Sequence, residues 1–70
     1  MNSNKFIWKD NSDELISCDE KLKVLNENFT EIENICQNAF DDAMLMNCNE
    51  TDFKQKIIEM INDLKFSFKK

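Results

Sequence analysis

The feature that most constrains the fold is a run of apolar residues between Ser17 and Met46, which recur at alternating spacings of three and four. This is the heptad pattern of a helix whose apolar seam faces another helix. It predicts one long helix over about residues 18–46. The seam residues are Leu22, Leu25, Phe29, Ile32, Cys36, Ala39, Ala43 and Met46.

Both ends of this helix carry recognisable signals. Ser17 and Glu20 have the spacing of a capping box, in which each side chain accepts a hydrogen bond from the other's backbone N–H. On this basis we expect Ser17→Ala to cost about 1 kcal/mol. Asn47 stands where the apolar pattern stops, and asparagine readily adopts the left-handed conformation that closes a helix.

A second, shorter helix is predicted over about residues 50–65. Asn49 and Thr51 are both possible N-caps for it, and Glu50 and Asp52 suit its first turn. Its apolar positions are Phe53, Ile57, Met60 or Ile61, and Leu64. The sequence therefore predicts a mainly α single domain of residues 1–70, built on a helical hairpin over residues 18–65.

The segments outside the hairpin are short. Residues 1–5 are polar and are expected to fray. In the arm of residues 6–17, two β-prone runs flank the turn-forming run Asp10-Asn11-Ser12-Asp13, which predicts either a short β-hairpin or an extended arm. The tail of residues 66–70 carries two phenylalanines that either extend the seam or fold back on the arm.

Few residues are suited to catalysis or to metal binding. The chain has no histidine, so it has no ordinary general base near neutral pH and no imidazole ligand. Asp10, Ser12 and Glu14 have calcium-loop spacing, but Leu15 replaces the required glycine and Lys21 the bidentate glutamate. We therefore expect no catalytic residue, no metal site and no cofactor.

The cysteines and the net charge indicate the expected cellular compartment and the classes of partner that are disfavoured. Cys18, Cys36 and Cys48 lack Cys-x-x-Cys spacing, which favours three free thiols in a reducing, cytoplasmic setting. No apolar run is long enough to span a membrane, and the N-terminus lacks the features of a signal peptide. A net charge of −5 without arginine opposes binding to nucleic acid or to an anionic membrane surface.

Acidic residues are concentrated in one stretch. No lysine occurs between Lys23 and Lys54, whereas seven carboxylates do. They are Glu27, Glu31, Glu33, Asp41, Asp42, Glu50 and Asp52. The stretch predicts an acidic, solvent-exposed flank of the protein. As an alternative, it predicts a surface that binds the basic surface of a partner.

Two motifs resemble a family of small uncharacterised proteobacterial proteins. The first is Ser17-Cys18 before the Glu-Lys-rich start of the helix, and the second is the ending Asp42-Ala43-Met44-Leu45-Met46-Asn47-Cys48. The resemblance covers about residues 6–65, with a glycine usual in the family at the position of Asn47. It implies a bacterial, cytoplasmic protein and brings no known activity or catalytic residue.

These observations favour a non-enzymatic helical module for protein–protein interaction or self-association, acting as a homodimer of four-helix-bundle type or on an unidentified protein partner. The length of the first helix implies a seam that one short helix cannot cover. The alternatives are an acidic partner protein, an inhibitor or nucleic-acid mimic on a basic surface, and a thiol-based redox sensor. The predicted interface is Leu22, Leu25, Phe29, Ile32, Ile35, Ala39, Phe40, Ala43, Met44 and Leu45, with Ala39 and Ala43 as close-contact positions.

Overall fold

The computed structural model describes residues 6–68 and is mainly helical. It contains α1 (Asp19–Leu45) and α2 (Glu50–Asn62), with no strand in the described residues. This architecture confirms the mainly α prediction and is consistent with a helical hairpin. The expected fraying of residues 1–5 lies outside the described part of the chain.

The chain divides into two compact units, Met1–Gln37 and Asn38–Lys70. Their boundary lies within α1, so the first unit holds the arm and the first part of α1. The second unit holds the last part of α1, the turn and α2. No helix among the described residues is both long and apolar enough to cross a membrane.

The start of α1 differs by one residue from the sequence prediction. The Leu22 N–H donates to the Cys18 carbonyl oxygen over 2.9 Å, which makes Cys18 the N-cap residue. Within the described residues, no hydrogen bond joins Ser17 to Glu20, so the predicted capping box is wrong. The reason is geometric, because a capping box at these positions requires Ser17 itself to be the N-cap.

The end of α1 is a Schellman motif. Asn47 has a φ of 66°, in the left-handed region, as its position in the sequence predicted. The Cys48 N–H donates to the Ala43 carbonyl oxygen over 2.9 Å, and the Asn47 N–H donates to the Met44 carbonyl oxygen over 3.1 Å. These bonds satisfy carbonyl groups that the end of the helix would otherwise leave without partners.

The start of α2 is capped by Asn49, one of the two predicted candidates. Its side-chain Oδ1 accepts a hydrogen bond from the Asp52 N–H over 2.7 Å. The helix ends at Asn62, three residues earlier than the pattern predicted. There the Asp63 N–H contacts the Met60 carbonyl oxygen and the Leu64 N–H that of Ile61, and such tightened bonds are typical of a last helical turn.

The arm reverses direction at the predicted turn. Asp10 and Glu14 are joined by a backbone hydrogen bond of 2.8 Å, and Ile16 donates to Trp8 over 2.9 Å. Asp13 has a φ of 66°, a left-handed conformation typical of tight turns. One antiparallel bridge joins Lys9 and Leu15, so the β-hairpin as such stays a prediction.

Candidate interaction surface

In the first unit, an aromatic cluster attaches the arm to α1. The Phe29 ring meets Phe6 edge-on at a centroid distance of 4.7 Å and meets Trp8 edge-on at 5.7 Å. Edge-to-face contacts of this kind stabilise beyond the area they bury. The Trp8 indole Nε1–H also donates to Asn26 Oδ1 over 2.7 Å. The arm therefore covers the apolar face of α1 around Phe29.

The carboxylate of Asp10 has a local structural role. Its Oδ1 accepts hydrogen bonds from the backbone N–H groups of Ser12, over 2.8 Å, and Glu14, over 3.0 Å. This is an Asx-type turn, in which the side chain replaces a backbone acceptor. The spacing that resembles the start of a calcium loop thus serves to shape the turn of the arm.

In the second unit, the last part of α1 packs on α2. The Phe40 and Phe53 rings lie 5.9 Å apart, and the Lys54 ammonium lies 5.3 Å above the Phe40 ring. Ala43 is 4% exposed and is the one buried residue among residues 6–68. Its carbonyl oxygen accepts the hydrogen bond from Cys48 in the turn that follows.

The predicted interface residues fall into three groups. Phe29, Phe40 and Ala43 are engaged within their own chain, as described above. Leu22, Leu25, Ala39 and Met44 are half-buried. Ile32, Ile35 and Leu45 are exposed. Of the predicted interface residues, those of the third group are the ones whose side chains are exposed and accessible to a second molecule. The interface as a whole stays a prediction.

Many other large apolar side chains are also exposed. They occur in the arm, on both helices and in the segment after α2. Besides the three just named, they are Ile7, Leu15, Val24, Met46, Ile58, Met60, Ile61, Leu64, Phe66 and Phe68. Scattered exposed apolar residues are normal on folded proteins, but a chain of this size usually buries more than the single residue, Ala43, that is buried among residues 6–68.

Charged groups are distributed unevenly over the two helices. In α2, Lys54 pairs with Glu50 at 2.8 Å and Lys56 with Asp52 at 3.0 Å. The hydrogen bond from Lys56 to Asp52 raises the pKa of that lysine above its ordinary value. Glu27, Glu31 and Glu33 of α1 are exposed and make no ion pair within the described part of the chain.

The three thiols are all free. Cys36 is half-buried, whereas Cys18 and Cys48 are exposed. The Cys48 thiol lies 3.7 Å from the Asn49 carbonyl oxygen, within the reach of a weak S–H hydrogen bond. Asp19 and Glu20 follow Cys18 in the first turn of α1.

One solvent-open cleft of about 570 Å³ lies beside α1 in the first unit. It is lined by Phe6, Asp19, Leu22, Lys23, Asn26, Glu27 and Thr30. Within residues 6–68, no group of three or more carboxylates and thiols is arranged to hold a metal ion. The cleft is a surface groove whose charged lining residues are exposed, and it brings no reactive pair together.

Sequence reasoning missed two features of this surface. It did not identify Asn26 as the partner of Trp8, although a polar residue three positions before Phe29 on the same helical face was a usable signal. It also predicted that Phe66 and Phe68 extend the seam or fold back on the arm, whereas both side chains are strongly exposed. The segment after α2 carries the strongly exposed Leu64, Phe66 and Phe68, whose spacing follows no helical period.

Comparison of the chain with protein families, with curated proteins and with solved structures found no match. The resemblance to a proteobacterial family therefore stays a prediction.

Proposed function

We propose that this protein is a non-enzymatic helical interaction module that works by self-association, as a homodimer. The observation that carries the proposal is the near absence of a core, since Ala43 alone is buried among the described residues. A single core is marginal in a chain of this length, and a partner, metal or disulfide commonly adds to the stability of such chains. Its thiols are free, so we assign that role to a second copy.

The arrangement that fits best is a symmetric dimer in which each chain contributes both of its helices, giving four in all. Small helical proteins commonly complete their cores in this way. The exposed Ile32, Ile35 and Leu45 of α1 are the predicted interface residues available for it. Phe29, Phe40 and Ala43 would stay engaged within their own chains.

Multi-angle light scattering on the purified protein at tens of micromolar tests this function. We expect twice the chain mass of 8.3 kDa. Dilution should shift the mass toward that of one chain, because association follows mass action. A mass of one chain at every concentration, with helical circular dichroism retained, would refute self-association.

A further inference from the structure

We propose that the segment after α2 docks on α1 of a second copy, and that the exchange is reciprocal. The segment is defined as residues 64–68, and its acceptor is the α1 stripe of Val24, Glu27, Glu31 and Ile35. This inference rests on the self-association proposed above and adds which surfaces meet.

The segment is a strongly exposed apolar part of the described chain. Leu64 and Phe66 are each 71% exposed and Phe68 is 83% exposed. The two rings contact each other edge-on at a centroid distance of 5.9 Å, so they form one aromatic surface. Such paired aromatic side chains are typical anchors of protein interfaces.

The α1 stripe has matching chemistry. Its residues are spaced by three, four and four, so they lie on one face of the helix. Val24 and Ile35 are exposed apolar residues at its ends, and the exposed carboxylates of Glu27 and Glu31 lie between them. The stripe thus offers apolar contact at two points and negative charge in the middle.

Charge complementarity selects this pairing over others. Residues 24–53 contain seven acidic residues and no basic one, whereas residues 54–70 contain five lysines and two acidic residues. A contact between two acidic stretches or between two basic ones places like charges together, which is costly. A contact of the segment, whose one charged residue is Lys65, with the acidic stripe brings opposite charges together, with Lys65 facing Glu27 and Glu31.

The surface area of the segment and the stripe is large enough for a stable interface. A standard interface removes about 800 Å² from each partner. Aromatic side chains bury about 150–250 Å² each, so the exposed parts of the two rings supply roughly 300 Å². In a two-fold dimer each chain contributes both its segment and its stripe. Leu64, Val24, Ile35 and the aliphatic stems of the lysines and glutamates supply the remainder.

A charge swap tests the pairing directly. Lys65→Glu alone and Glu31→Lys alone should each weaken the homodimer about tenfold, because each places like charges together in both contacts. An equimolar mixture of the two variants should associate more tightly than either variant alone. In the mixed dimer Lys65 faces Glu31 in one contact, and the glutamate introduced at position 65 faces the lysine introduced at position 31 in the other. Sedimentation equilibrium measures all three dissociation constants. If the mixture associates no better than the single variants, these surfaces do not meet.

The aromatic anchor has its own test. The double variant Phe66→Ser with Phe68→Ser should weaken the homodimer at least about a hundredfold. The matched control is Ile7→Ser with Leu15→Ser, which removes two apolar side chains of the arm that are also strongly exposed, at 73% and 63%. It should change the dissociation constant less than threefold. Circular dichroism verifies that both retain their helices. If the Phe66/Phe68 variant dimerises normally, the segment serves another occupant, such as a lipid surface or another protein.

Cross-linking separates docking on a second copy from docking within one chain. Unlabelled and nitrogen-15-labelled protein are mixed and treated with a carbodiimide, which joins lysines to carboxylates. Lys65 should join Glu27 or Glu31 in peptide pairs of mixed isotope. Pairs of one isotope only would overturn the proposal. A monomeric wild type would instead overturn self-association itself, so the two failures are distinguishable.

Discussion

At the scale of single residues, hydrogen bonds accepted by Asn and Asp side chains set where elements begin and turn. Asn49 caps α2, and Asp10 closes the turn of the arm. Asn47 takes a left-handed conformation without the help of glycine, which the chain lacks entirely. Each of these residues satisfies backbone groups that would otherwise be left without partners at an element end.

The two candidate caps provide a matched pair for mutation. Asn49→Ala should lower the free energy of unfolding by about 1 kcal/mol, because the Asp52 N–H loses its side-chain acceptor. Ser17→Ala should cost clearly less, since Cys18 is the N-cap of α1. Urea unfolding of both variants at one protein concentration makes the comparison. Equal losses would show that α1 begins at Ser17 in solution.

At the scale of elements, the arm and α1 are held together by three aromatic rings and one side-chain hydrogen bond. The Phe29 ring contacts both aromatic side chains of the arm, and Asn26 holds the Trp8 indole. These contacts fix the orientation of the arm as well as burying apolar area, because ring edges and the indole N–H each need a partner in a defined position. The arm therefore packs on α1 through these side-chain contacts, which do not depend on strand pairing within the arm.

Removing the central ring should release the arm. Phe29→Ala is expected to cost about 2 kcal/mol, less than the 3–5 kcal/mol of a fully buried phenylalanine, because Phe29 is half-buried. Trp8 is the one tryptophan of the chain, so its fluorescence reports on the arm specifically. Its emission should shift to longer wavelength as the indole becomes hydrated.

The control for that experiment is Asn34→Ala, an exposed change on the same helix. It should leave the emission of Trp8 unchanged and should not destabilise the chain, because alanine is the better helix former. An unshifted emission in the Phe29 variant would mean that the arm is held by contacts other than the aromatic cluster.

At the scale of the whole molecule, stability should depend on protein concentration. A homodimer that completes its core by association unfolds and dissociates together, so mass action raises its midpoint of thermal unfolding as concentration increases. We expect the midpoint to rise steadily over a hundredfold concentration range when followed by circular dichroism.

The Phe66→Ser/Phe68→Ser variant serves as the control for that experiment. Its midpoint should be lower and should vary less with concentration over the same range. A midpoint independent of concentration for the wild type would show that the single chain is stable in spite of its small buried core.

Much of the architecture follows from local sequence. The heptad spacing predicted α1 to within one residue at each end, because burial on one face must follow the helical period. Asn47 and Asn49 were identified as the turn and the second cap because few side chains tolerate those backbone conformations or accept hydrogen bonds there. These are properties of neighbouring residues, so they are readable along the chain.

The tertiary structure decided which apolar residues are covered. Ile35 and Phe40 look equally apolar in the sequence, yet Phe40 packs on Phe53 whereas Ile35 is exposed. The pairing of Trp8 with Asn26 joins residues 18 positions apart, which no local period encodes. The end of α2 at Asn62 was likewise not predicted by the apolar spacing. Helical spacing shows where a helix is possible and not where its contacts stop. Coverage depends on what lies across from a side chain, and that is a property of the folded molecule.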